Sequence, residues 1–357
     1  MKKSILLLMS MLLILHTRMA FAKIWRVNNS AGVTADFTTL QDAHDGASSG
    51  DTIHVEGSGT NYGSLTSTKK LVIIGPGYYL EENQNLQAHP LTAKVSTVTL
   101  NSGSEGFVLM GLDFGSSPIQ IFADNITIRR NRFATANGQQ YPEWTTGIIL
   151  LYYHSDNSSI PVSNILITQN YGVRIESRNA STGVLIANNY IAYGDNAGDD
   201  VTADALNLST GTVAIIQNNI FRRGKITAHN STFTNNIMVA GTLEGTGNMI
   251  ANNIGSNTQF GTTNGNKSNV SMSTVFVGAG EGASTDGRWK LKAGSPAIGA
   301  GFGSTAANPV DAGMFSGHSP YVLSGIPPVP TIYFFESQPV GSDADPIEVT
   351  VKVRSNN

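Results

Sequence analysis

The sequence predicts an all-β solenoid, a stack of short strands that bury one another's apolar faces, and three observations carry the prediction. First, a phrase of a few apolar residues ending in Asn recurs six times. It reads VLIANNYI at 184–191 and VAIIQNNIF at 213–221, with looser copies at 125–133, 164–172, 231–239 and 248–256. Second, the copies keep a common register. Aligned on Asn131, Asn170, Asn189, Asn219, Asn236 and Asn253, they place Ile128, Ile167, Ile186, Ile216, Phe233 and Ile250 three residues earlier. Third, only 13% of residues are charged, Gly numbers 38, and Asn, Ser, Thr, Val and Ile abound, which favours strands and tight turns over helices.

The spacing between aligned Asn residues is 39, 19, 30, 17 and 17. A base period near 17 to 20 is that of a repeat whose rungs cannot bury their apolar faces alone. The gap of 39 is nearly two periods and predicts an extra turn passing through 147–155. The Asn row itself reads as scaffold: Asn tolerates the left-handed backbone of a tight turn, and stacked amides form ladders. Asn189 and Asn219 are therefore expected at turns, buried, with amide contacts to neighbouring rungs.

In chain order, residues 1–22 read as a secretory signal peptide. Lys2 and Lys3 precede an apolar run from Ile5 to Leu15, and Ala20-Phe21-Ala22 has the small-x-small form of a cleavage site. That run has 11 residues, too few to span a bilayer, and no later stretch is long and apolar enough. The chain has no Cys, so core burial or repeat stacking must hold it together. Residues 36–57 hold an N-terminal helical cap, with Asp36 as N-cap, Phe37, Leu40, Ala43 and Ala47 on one face, and Gly50 as the stop. Strands follow at 52–55 and 69–75. The repeats occupy the region to 317. Residues 318–357 form a linker marked by Pro327, Pro328 and Pro330, and a short β tail with strands at 331–335 and 347–353.

A short helix, then GDTI-V-G, then a strand ending IIGPG resembles the opening of secreted right-handed parallel β-helix proteins of the pectate-lyase-like superfold. RWKLKAGSPAIGAG at 288–301 with VDAGMFSG at 310–317 resembles their closing segment, although Gly299 stands where Asp is usual. The resemblance covers 23–317 and implies a right-handed parallel β-helix. It implies no single activity, because the superfold hosts lyases, hydrolases and adhesins.

Function is expected where the repeat is interrupted, at insertions 134–146 and 192–211 with 152–161 between them. Tyr141, Trp144, Tyr153 and Tyr193 are candidates for stacking on sugar faces, and Tyr152 and Tyr190 lie near them. Asp195, Asp199, Asp200 and Asp204 could hold Ca²⁺; an Asp/Gly-rich exposed loop explains them equally well in kind. Gly198-Asp199-Asp200 resembles one motif of polygalacturonase-type hydrolases, which would make Asp199 and Asp200 paired catalytic carboxylates. The other motifs of that family are missing, and Arg223-Gly224-Lys225 only approximates its Arg-Ile-Lys element. A lyase would need a base such as Arg or Lys, and the basic residues beside the rungs include Arg129, Arg130, Arg132, Arg223 and Lys225. Their alternative role is on solvent-facing strand edges. A net charge of −3 argues against nucleic acid. The expectation is an exported, bacterial, monomeric protein that recognises a polysaccharide or cell-surface glycan, without a transmembrane segment. The alternatives are a lyase or glycoside hydrolase acting on an acidic polysaccharide, and a non-enzymatic surface or adhesion protein.

Overall fold

The computed structural model describes residues 22–134, 148–151, 161–193, 201–280, 283–342 and 346–356. They form two large parallel sheets of 10 and 12 strands and one small antiparallel hairpin. The architecture is predominantly β and compatible with an all-β solenoid.

The chain alternates between the sheets in a repeating circuit. The first sheet takes one short strand from every circuit, including Thr127–Arg129, Leu166–Thr168, Val184–Ala187, Ala214–Gln217, Thr232–Thr234 and Met249–Ala251. The second sheet bends into two panels at Tyr171–Ser177. The start of that strand pairs with Tyr190–Ala192 in a near panel, and its end pairs with Asp204–Leu208 in a far panel. A circuit therefore runs first sheet, Asn turn, near panel, far panel, and back to the first sheet.

The register explains the sequence repeat. Ile128, Ile167 and Ile186 lie opposite one another in adjacent strands, as do Ile186, Ile216 and Phe233, and all five are fully buried. Three-residue strands offer little surface each, so the core is continuous only because every rung repeats the same inward position.

Three expectations are corrected. The 39-residue gap holds one circuit rather than two. Thr127–Arg129 pairs directly with Leu166–Thr168, and the intervening Ile148–Leu151 is simply the far-panel strand of that circuit. The excess length lies in insertions at its corners, and counting periods cannot separate an added turn from a lengthened corner. The helix α1 is shorter than expected, Leu40–Gly46, and is capped by Thr39, whose hydroxyl accepts from the Asp42 amide at 3.1 Å. Asp36 instead accepts from the Arg26 amide at 2.8 Å, and Phe37 packs on Trp25 at 5.3 Å between ring centroids. Leu40, Ala43 and Ala47 are buried as the pattern required.

The third correction concerns the turn. Asn189 and Asn219 are fully buried and carry the expected amide ladder. The Asn189 Nδ2 donates to Asn219 Oδ1 at 3.1 Å, and Asn219 Nδ2 donates to Asn236 Oδ1 at 3.0 Å. The ladder Asn is not the left-handed residue, however. That conformation falls one position earlier, at Arg130, Gln169, Asn188, Asn218, Asn235 and Asn252, with φ between 54° and 59°. In the doubled Asn of the repeat the first residue turns the chain and the second bonds the rungs. The ladder also has a seventh member, Asn266, which accepts from the Asn253 amide at 2.9 Å.

Thr331–Ser337 and Val349–Arg354 pair antiparallel as a hairpin. It is tied to the body where the Ala88 amide donates to the Ile332 carbonyl at 2.8 Å.

Candidate functional site

The left-handed residues project their side chains outward, and these hold a strap formed by residues 297–326. Asn252 Nδ2 donates to the Ala300 carbonyl at 3.2 Å, and Asn235 Oδ1 accepts from the Phe302 amide at 2.7 Å. Asn188 Nδ2 donates to the Met314 and Ser316 carbonyls at 2.9 and 2.6 Å. Gln169 Nε2 reaches the Pro320 carbonyl at 2.6 Å, and Arg130 Nη1 the Ile326 carbonyl at 2.7 Å. The strap thus climbs the rungs in the reverse of their chain order. It passes so close to the turn at Gly325 (φ 56°) that a Cβ there would collide with the Tyr78 ring and the Arg130 carbonyl.

A second apolar cluster seals the strap and the preceding segment over the outer side of the near panel. Tyr171 and Tyr190 stack at 4.4 Å between centroids, and Trp289 covers Tyr190 at 4.9 Å while its Nε1 donates to the Tyr171 hydroxyl at 3.2 Å. Tyr190 is fully buried, so it is no exposed sugar platform.

Between the strap and the outer face of the first sheet runs a groove of about 940 Å³. Its floor is a row of residues in register across five rungs: Arg129, Thr168, Ala187, Gln217 and Thr234. Four strand spacings make that floor about 19 Å long. The strap supplies the wall, with Phe302, Pro309, His318 and Pro320 among its lining residues. Phe302 is 65% exposed.

The groove's polar side chains are amides, hydroxyls, two guanidiniums and the His318 imidazole; no Asp or Glu lines it among the described residues. Arg130 is buried, and burial first, then the neighbouring Arg129 charge, pull its pKa down to about 10. Burial alone lowers that of Arg129. By contrast Arg132, on the near-panel side, grips Asp113 through Nη1 at 2.8 and 2.7 Å. Burial works against its charge, but Asp113 and Tyr79 outweigh that and raise its pKa.

Of the residues expected from sequence to carry function, Tyr141, Trp144, Tyr153, Asp195, Asp199 and Asp200 lie outside the described residues. Arg223, Lys225, Asp204 and Tyr193 gather at the corner between near and far panels and do not line the groove, whereas Arg129 and Arg130, named among the candidate bases, do. Lys225 Nζ sits 3.1 Å from Asp204 Oδ1, whose carboxylate also accepts from Asn207 Nδ2 at 3.1 Å. Tyr193 is half-buried, with the Arg174 guanidinium 4.9 Å above its ring, and its amide donates to the Arg223 carbonyl at 3.0 Å. Among the described residues no three His, Cys, Asp or Glu side chains converge as a metal site would require.

The groove was missed because its wall comes from residues far along the chain from its floor. One signal was present: the first Asn of each pair had no task in a one-ladder reading. No protein-family model, curated protein or solved structure matches the chain.

Proposed function

We propose that this chain is an exported right-handed parallel β-helix protein that binds a linear polysaccharide in the groove between its first sheet and the strap. The right-handed sense follows from the near-universal handedness of connections between parallel strands. Export rests on the basic and apolar opening of the sequence. The observation that carries the binding reading is the groove itself, open and crossing five rungs. Its length and its repeated floor suit a chain of similar units better than one compact ligand. Exposed Phe302 offers a ring face to a sugar, and the flanking amides match hydroxyl groups that both donate and accept. Among the described residues the lining offers no carboxylate and so no acid–base pair for glycoside hydrolysis, which favours the reading of recognition.

The test is affinity electrophoresis against a panel of soluble neutral and acidic polysaccharides. At least one is expected to retard the protein, and Phe302→Ala to weaken that retardation roughly two- to twelvefold, the loss of about 0.5–1.5 kcal/mol of ring contact. Phe335→Ala, on the hairpin and 57% exposed, should leave it unchanged. Equal retardation of Phe302→Ala and the parent protein would remove the groove from consideration.

A further inference from the structure

The groove contains three buried polar atoms without a hydrogen-bond partner among the described residues: Arg129 Nε, Thr168 Oγ1 and Asn218 Nδ2. Such atoms are costly, because each has left water without gaining a hydrogen bond. Thr168 and Asn218 are 6% and 5% exposed and both line the groove. All three can donate. Arg129 and Thr168 lie directly opposite in adjacent strands, about 5 Å apart along the floor. Asn218 belongs to the turn row that holds the strap, and its side-chain nitrogen is left over where those of Asn188 and Asn252 grip strap carbonyls.

The charge balance agrees. Among the described residues the Arg129 guanidinium makes only a long contact with Met110 sulfur, 3.6 Å from Nη2, and Arg130 is satisfied by Gln169 and a backbone carbonyl. Neither has a carboxylate partner among the described residues, whereas Arg26, Arg132 and Arg178 each do. Half-buried Arg129 and buried Arg130 thus lack a compensating charge among the described residues, and the unpartnered Thr168 hydroxyl lies one rung from Arg129. An oxyanion would satisfy both deficits, since a guanidinium Nε–H and a hydroxyl converge on its oxygens.

We propose that Arg129 and Thr168 form an oxyanion subsite that reads a carboxylate or sulfate carried on a sugar unit, with Asn218 donating to a unit further along the groove. This rests on the polysaccharide reading above and specifies the charge of the polymer. Carboxylate and sulfate share the chemistry of clustered acceptor oxygens, and the ligand series below separates them.

The experiment is calorimetric titration of the parent protein, Arg129→Met, Thr168→Val and Phe302→Ala with neutral, uronate-containing and sulfated oligosaccharides of equal length at fixed low salt. The parent protein should bind one acidic series at least tenfold more tightly than the neutral one. Arg129→Met should abolish that preference, Thr168→Val should reduce it several-fold, and Phe302→Ala should weaken all series alike. An acidic preference that survives Arg129→Met overturns the subsite, and so does equal binding of neutral and acidic series; in either case sensitivity to Phe302→Ala leaves the groove reading standing. Binding of none of the series sinks the groove reading. The subsite is then judged by a second measurement that needs no variant and no polymer: sodium sulfate or sodium acetate added to the ¹⁵N-labelled parent protein. A saturable shift of the Arg129 Nε–H resonance supports an oxyanion site, and its absence with both salts overturns it.

Discussion

Replacing Asn219 with Ala is expected to cost about 3–5 kcal/mol, among the largest losses any single substitution in the stack can produce. Its Nδ2 donates to the Ile186 and Gln217 carbonyls and to Asn236 Oδ1, and its Oδ1 accepts both the amide and the Nδ2 of Asn189. Truncation strands those groups in a fully buried position, where each unsatisfied partner costs about 1–3 kcal/mol. The neighbour Asn218 is the matched control. It is left-handed at φ 55°, its side-chain nitrogen has no partner among the described residues, and Gly adopts that backbone freely. Asn218→Gly should therefore cost under about 1 kcal/mol. Two adjacent asparagines with such different costs are a sharp test of the division of labour in the repeat. Hydrogen exchange of the amides of residues 186–191 and 216–221 reads it directly, because a stacked protein can open locally without unfolding as a whole. Equal effects of the two substitutions would mean that the ladder bonds carry no more than the turn does.

The inward row was legible because it is a local rule repeated. An apolar residue three positions before Asn fixes which face is buried, and Ile128 to Phe233 all obey it. The ladder was legible for the same reason, except at Asn266, which lies only 13 residues after Asn253 and so falls off the period. The strap was not legible. Its anchors, from Asn252 with Ala300 to Arg130 with Ile326, span increasing sequence distances, 48 and then 196 residues, with no period to read. The side chains that hold it differ in type, Asn, Gln and Arg, and share only a position beside the ladder and the length to reach a carbonyl. Insertions announce themselves in a repeat as breaks. A groove made by laying one end of a chain along its middle leaves no break, so looking for function at interruptions directed attention to the panel corner and away from the first sheet.

The strap's own keystone is Asp286, and Asp286→Ala is the second substitution expected to have a large effect. The carboxylate is fully buried and has no basic partner among the described residues. It accepts instead from Asn83 Nδ2 at 2.9 Å, Ser284 Oγ at 2.9 Å, the Tyr321 hydroxyl at 3.1 Å and the Ser324 amide at 2.6 Å. Those donors come from three separate segments, one of them beside the early rungs and one within the strap. The Tyr321 hydroxyl is also paired with that of Tyr78 at 2.8 Å, and burial first, then the Asp286 charge, push both phenols well above their ordinary range. Removing the carboxylate strands the buried Ser284 hydroxyl and Ser324 amide, while Asn83 Nδ2 keeps Ser324 Oγ and the Tyr321 hydroxyl keeps that of Tyr78; the loss is about 2–4 kcal/mol, and Asp286→Asn, which keeps an acceptor oxygen, should cost about half as much. The loss falls on the strap rather than on the stack, because no ladder bond involves these residues. Limited proteolysis should accordingly cut Asp286→Ala within 300–326 under conditions where the parent protein is intact, while exchange at the Asn219 rung stays as slow as before. Polysaccharide retention should fall with it, since the strap is one wall of the groove. Asn219→Ala should do the reverse, opening the rungs first. If Asp286→Ala instead accelerates exchange along the ladder, stack and strap are a single cooperative unit, and the groove wall cannot be loosened without loosening its floor.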